Sequence, residues 1–275
     1  MIKLSKVFKS IVTFLGKTKW LYITIIAYGI IYFPIFVIGL LSFNKSSRSY
    51  KFTGFTFKWY QEIIQDEILF EAIINTLKIA VYSTAIAVIV GTLTAIGINS
   101  LKRKFRVQFM ILNNIPVINP DIVTGIGLMV VFGILSFEFG QYTVLMAHVF
   151  FSIPFVVLTV LPKLKTLDKN LFDAARDLGC NRFQAIYKVI IPSIKSSIIA
   201  GGLIAFTMSI DDFVITYFTS GAKYMNVSLY LYSRIGRKNF SPAAYSYNTL
   251  LILVTVAILV AFNIRNNRKM KENLR

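Results

Sequence analysis

The chain alternates between long apolar runs and short polar, mostly basic ones. Trp20–Phe43 is the first run long enough to cross a bilayer, with an interfacial tryptophan at its start and Pro34 as an expected kink. It is too long for a signal-peptide core and has no small-residue cleavage site, so it is expected to stay as a signal anchor. Glu71–Asn99 is rich in Ala, Thr and Gly, a composition suited to close helix packing. Gln108–Phe137 is interrupted by Asn113-Asn114-Ile115-Pro116 and Asn119-Pro120-Asp121, and irregular backbone at membrane depth requires protein or a watery cavity around it. Tyr142–Leu161, with Pro154 inside, then Ser196–Thr219 and Tyr247–Ile264 bring the expected spans to six. The expected layout is a basic head over residues 1–19, a first span over 20–43 and a polar outer loop over 44–69. A membrane-spanning core over 70–264 then holds a loop at 163–195, and a basic tail covers 265–275.

Composition agrees with this pattern and narrows the chemistry. The chain is 56% hydrophobic with mean hydropathy +0.66, which marks a membrane protein. A net charge of +18 would suit a nucleic-acid binder, but the cations sit at the ends of apolar runs. Placing both termini inside puts 21 of the 30 Lys and Arg on the inner side, so an all-α, N-in/C-in topology is expected. One cysteine, Cys180, excludes an internal disulfide, and one histidine, His148, leaves no histidine cluster for a metal. Both read as packing or loop residues. Gly16-Lys17-Thr18 is not a phosphate loop, because Ile11 stands where the first glycine belongs and no strand precedes it.

The most informative polar stretch is Asp173–Pro192, DAARDLGCNRFQAIYKVIIP. Asp168 or a neighbour can cap a short helix carrying Leu171, Ala175 and Leu178 on one face. Gly179 supplies a left-handed residue to stop that helix. Asn181 with Gln184 reads as a second N-cap and capping box, Phe183, Ile186 and Ile190 line the next helix, and Pro192 closes it. The alternative to a docking knob is an ordinary amphipathic loop.

Only twelve acids occur, and Asp121, Asp211 and Asp212 fall inside expected spans. An aspartate at mid-membrane costs about 2.5–3.5 kcal/mol on insertion scales, so such residues need a cavity or partners. In FTMSIDDFVITYF, adjacent helical positions diverge by about 100°, placing one acid toward a pathway and the other toward a neighbouring helix. The functional reading is a cation path lined by Asp121, Ser209, Asp211 and Asp212. The packing alternatives are hydrogen bonds to backbone at the broken third span, or a position near the outer interface. Trp59, in FTFKWYQEII, is either a membrane-belt residue or an aromatic face for an alkylammonium.

Asp173-Ala174-Ala175, Gly179 and Val189-x-Ile191-Pro192 resemble, at matching spacing, the EAA loop of ABC-importer permeases. Asp173, Val189 and Ile191 replace that pattern's Glu, Ile and Leu. Lys58-Trp59-Tyr60, Pro120-Asp121-Ile122-Val123, Phe155-Val156-Val157, Asp177-Leu178-Gly179 and Phe206–Val214 further resemble the spermidine/putrescine branch of that family. Leu229-x-x-Tyr232-Ser233 matches loosely. The resemblance implies a six-helix, type I (MetI-like) permease fold. It also implies that Asp173, Ala174, Ala175, Gly179 and Pro192 couple to an ATPase. Implied partners are a PotB-like second permease, a PotA-like ATPase dimer and a PotD-like receptor. ATP and magnesium would sit on the ATPase, with no cofactor in this chain and no enzymatic activity of its own. Alternatives are a permease of the iron, thiamine or phosphonate branches, or an ion-coupled secondary transporter, for which no inverted repeat is evident. A membrane enzyme or scaffold has least to build on.

Overall fold

The computed structural model describes residues 2–46, 51–168, 170–234 and 243–272. Arg237 and Lys238 of the expected outer loop and residues 273–275 of the tail lie outside the described residues. In chain order the helices are α1 (Ile2–Leu41), α2 (Lys58–Gln65), α3 (Glu67–Ser100), α4 (Arg103–Ile118) and α5 (Asp121–Ile134). Then follow α6 (Gln141–Thr166), α7 (Leu171–Asp177), α8 (Arg182–Ala185), a π turn (Ile186–Ile190) and α9 (Ile191–Ser193). The remainder are α10 (Lys195–Asp211), α11 (Val214–Thr219), α12 (Val227–Arg234) and α13 (Ala243–Glu272). Among the described residues there is no strand, only an isolated bridge between Asn44 and Phe55.

The chain forms two compact units, residues 1–66 with 234–275 and residues 67–233. In the first, α13 packs on α1 and α2. The basic head and the first span are one continuous helix with Pro34 inside it; the apolar span within it begins at Trp20, with no helix break there. Gly16 alone, at about 1 kcal/mol of helix propensity, is too weak a breaker. Between α1 and α2, Phe43, Phe55, Phe57 and Tyr60 stack and tilt on one another at 4.8–6.2 Å. Tyr60 closes the cluster with a 2.8 Å hydrogen bond to Ser42 Oγ.

In the second unit, α3, α6 and α10 pack around Ala87, Ala95, Val156, Val157, Val160 and Ala205. Small residues let these backbones approach, as in other membrane helix bundles. Gly201 lies against the Val156 backbone and Gly202 against Val88, while a Cβ at Gly91 would stand 2.7 Å from Val156 Cβ. A β-carbon cannot swing away. Gly91→Ala is therefore expected to cost about 1–3 kcal/mol through overpacking, read as a lower unfolding temperature of the purified protein. Gly97→Ala, where a Cβ meets nothing within 4 Å, is the control and should leave that temperature unchanged or raise it slightly through helix propensity.

Among the described residues, three helices are long and apolar enough to cross a membrane: Trp20–Leu41 of α1, α3 and α6. The expected third span is two helices, α4 and α5, bent by 103° at Asn119-Pro120. Pro120 has no N–H to continue α4, and its fixed φ starts α5 instead. A second bend of 73° separates Arg182–Ser193 from α10 at Ile194, whose side chain is buried in the core. The expected fifth span also divides, at Asp212, into α10 and α11. The expected sixth span, Tyr247–Ile264, lies within the single helix α13. Near Gly221 (φ +62°) the α11–α12 connection packs on Phe139, and Lys223 bonds Glu138 at 2.6 Å. That hydrogen bond and charge hold the Glu138 carboxyl below its ordinary range and raise the Lys223 ammonium above its own.

Candidate functional site

The interruption at Asp212 is the centre of the site. Asp212 is extended (φ −67°, ψ 128°), so Asp211 and Asp212 are not successive positions of one helix as expected. Asp211 ends α10 and is exposed, and its carboxylate makes no hydrogen bond or ion pair among the described residues. The Asp212 side chain is 8% exposed and turns back onto α11. Its Oδ2 accepts from Thr216 N–H at 2.8 Å and from Thr216 Oγ1 at 2.7 Å, and its Oδ1 accepts from Ile215 N–H at 3.3 Å. A carboxylate on the first turn of a helix satisfies donors that would otherwise lack partners and meets the positive end of the helix dipole.

Behind that carboxylate a chain of side chains crosses the core. His148 of α6 is 1% exposed; its Nε2 lies 2.9 Å from Thr216 Oγ1 and 3.5 Å from Asp212 Oδ2. Its Nδ1 lies 2.7 Å from Ser209 Oγ of α10, and Ser209 Oγ lies 3.1 Å from Ser83 Oγ of α3. Ser83, Ser209 and Thr216 are all buried. Four helices thus contribute to one polar line inside an apolar core. Sequence reading missed His148, Ser83 and Thr216. Their signal was the lone histidine in mid-span and a hydroxyl four residues after an intramembrane acid.

Asp121 opens α5 directly after the Pro120 step and is exposed. One turn later Gly125 lies against Val214, Ile215 and Phe218, so α5 seats on α11. Three rings gather just past Asp212: Phe213 lies 4.8 Å from Tyr232 and 5.6 Å from Tyr217, and those two tyrosines lie 5.7 Å apart. About half of each tyrosine is exposed. Of the residues expected along a pathway, Ser209 and Asp212 are joined through His148, while Asp211 and Asp121 present carboxylates without a partner among the described residues. Trp59 belongs to the first unit, where it is buried; its Nε1–H donates to Asn44 O at 2.6 Å, and Lys58 Nζ lies 5.4 Å from its ring centroid. Its hydrogen-bonding edge is occupied by the protein itself.

The knob between α6 and α10 follows its local signals closely. Gly179 has φ +85°; its N–H donates to Arg176 O, and Cys180 N–H donates to Ala175 O, the two bonds of a Schellman turn. Asn181 and Gln184 form the reciprocal capping box at 2.8 and 3.0 Å. Two expectations need correction. Leu178 does not share the buried face with Ala175: it ends the helix and is 87% exposed. The second helix is not α throughout, since a π turn carries Ile186–Ile190 immediately before Pro192. The wider turn pairs Ile191 N–H with Ile186 O, just ahead of a residue with no N–H to give. Leu178, Phe183 and Tyr187 stand in the open, an apolar set of the kind that marks an interaction surface.

Long apolar helices, interrupted spans with free carboxylates and an exposed helix–glycine–helix knob define an integral membrane protein with several passes. The sequence profile of the family described as "Binding-protein-dependent transport system inner membrane component" matches residues 83–271, and the chain belongs to that family. It is 33% identical to the spermidine/putrescine transport system permease protein PotC of Escherichia coli K12, over 90% of this chain and 93% of that one. It is 29% identical to the putrescine transport system permease protein PotI of the same organism, over 86% of each. Its fold matches a chain of the crystal structure of a bacterial ABC transporter involved in the import of the acidic polysaccharide alginate. The TM-score there is 0.66 at 20% identity, over 90% of this chain and 96% of that one.

Proposed function

We propose that the chain is the transmembrane permease subunit of an ATP-driven importer of spermidine/putrescine-type polyamines. The observation that carries this reading is the 33% identity, along nine-tenths of the chain, to a permease named for those substrates. The chain would sit in the bacterial cytoplasmic membrane with six spans and both termini inside. That count takes α4–α5 and α10–α11 each as one interrupted span and α13 as the sixth, and the cation distribution supports the orientation. Its partners would be a PotB-like permease, a PotA-like ATPase dimer that holds ATP and magnesium, and a PotD-like receptor. The subunit itself is not an enzyme.

The chemistry of the site suits such a cargo. Polyamines carry ammonium groups along an apolar chain, and Asp121 and Asp211 offer carboxylates without internal partners. The Phe213–Tyr217–Tyr232 cluster offers ring surface for cation–π attraction. The Asp173–Pro192 knob would seat in the ATPase, with Ala174, Ala175, Gly179 and Pro192 shaping it and Leu178 and Phe183 entering the partner. Closure of the ATPase dimer would then rock the spans and expose the path alternately to each side. The test is uptake of labelled spermidine into polyamine-depleted cells carrying the full transporter, with and without this chain. Uptake that depends on ATP and on the chain, and that putrescine competes, is expected. An assembled, ATP-hydrolysing complex without uptake would move the substrate to another class.

A further inference from the structure

Asp212 faces inward and accepts three hydrogen bonds from α11, while Asp211 is exposed and has no partner among the described residues; His148 of α6 stands behind the inner carboxylate. The hydrogen-bond partners define how. An ionised carboxylate only accepts, so the Thr216 hydroxyl donates to Asp212 and its oxygen accepts from His148 Nε2–H. With neutral His148, Nδ1 accepts from Ser209, and Ser209 accepts from Ser83. With protonated His148 the line reverses: Nδ1–H donates to Ser209, Ser209 to Ser83, and Ser83 to Ala80 O at 3.4 Å. Neither state strands a buried polar atom of the line. The connection between α6 and the α10–α11 break is therefore maintained in both protonation states, as fully satisfied buried networks are.

We infer that His148 is a positioning residue of the transport path. Through Thr216 it holds the Asp212 carboxylate as the joint between the two halves of the interrupted span, and so reserves Asp211 as the carboxylate that meets an ammonium group. The assignment of a cation to Asp211 rests on the polyamine reading above; the role of His148 in holding the joint does not.

Two isosteric substitutions separate the two sides of the ring. The amide nitrogen of His148→Gln falls near the place of Nε2 and keeps the link to Thr216 and Asp212. That of His148→Asn falls near Nδ1, keeps Ser209 and cuts the joint. In the complete transporter in proteoliposomes, His148→Gln should keep the half-maximal spermidine concentration within about twofold of wild type. His148→Asn should raise it about tenfold or more, with the ATPase still co-purifying, and Thr216→Val should match His148→Asn. A second readout needs no substrate. In a Cys180→Ala background, Asp211→Cys is labelled with a cationic methanethiosulfonate. His148→Asn should change the labelling rate severalfold, and His148→Gln should not. Equal behaviour of the Gln and Asn variants in both readouts would overturn the inference. If the wild-type complex imports no spermidine, the polyamine reading fails and the labelling result alone decides the role of His148.

Discussion

Asp212→Leu is expected to destabilise the assembled protein by about 3 kcal/mol or more, whereas Asp211→Asn leaves stability unchanged and removes most transport. The first substitution deletes the acceptor for Ile215 N–H, Thr216 N–H and the Thr216 hydroxyl and leaves His148 Nε2 facing an orphaned hydroxyl in the core. Removing one member of a buried, hydrogen-bonded charged set strands its partners, so the loss exceeds that of any single bond. The second substitution acts on an exposed carboxylate without internal partners, so folding has nothing to lose there. Thermal unfolding of the detergent-purified complex, beside uptake in cells, separates the two. A normally stable Asp212→Leu protein would show that the carboxylate is not a structural joint.

The second large effect is expected at Gly179. A valine there would have to hold φ +85°, which costs an L-residue about 1–3 kcal/mol and a β-branched one the most. Space is not the obstacle, because a Cβ at Gly179 meets nothing within 4 Å. The strain instead falls on the Schellman turn, which sets the direction between α7 and α8 and hence the placement of Leu178 and Phe183. Gly179→Val should therefore yield a folded chain that no longer retains the ATPase on purification. Gly179→Asn, which tolerates the left-handed region, should retain it in part. Full ATPase retention in the valine variant would show that knob geometry does not govern docking.

The knob was legible in the sequence because its rules are local. A glycine after the last helical residue, and Asn followed three positions later by Gln, each specify a cap without outside help. The break at Pro120 was legible for the same reason, although its 103° angle was not. The break at Asp212 has no such signal: FTMSIDDFVITYF lacks both Gly and Pro and reads as one helix. It exists because Thr216, four residues ahead, and His148, on α6, together outbid the backbone continuation. Sequence spacing shows the first of these and hides the second. His148 itself passed for a packing residue because its hydroxyl partners lie on two other helices, α10 and α11, with Ser83 of α3 behind them. The π turn and the outward Leu178 were likewise invisible, since both depend on how a chain ending at Pro192 meets a core anchored by Ile194.

The unbroken α1 has a consequence for how thickness is read. Forty helical residues reach about 60 Å, while the hydrocarbon interior of a bilayer is about 30 Å deep. The 22 residues Trp20–Leu41 alone account for about 33 Å, so the lysine-bearing half must stand clear of the lipid tails as a rigid mast. A thicker or thinner membrane cannot be met by fraying at a joint near residue 19, because there is none. Tilting the helix as one body meets it instead, so that bilayer depth is converted into lateral travel of its basic half.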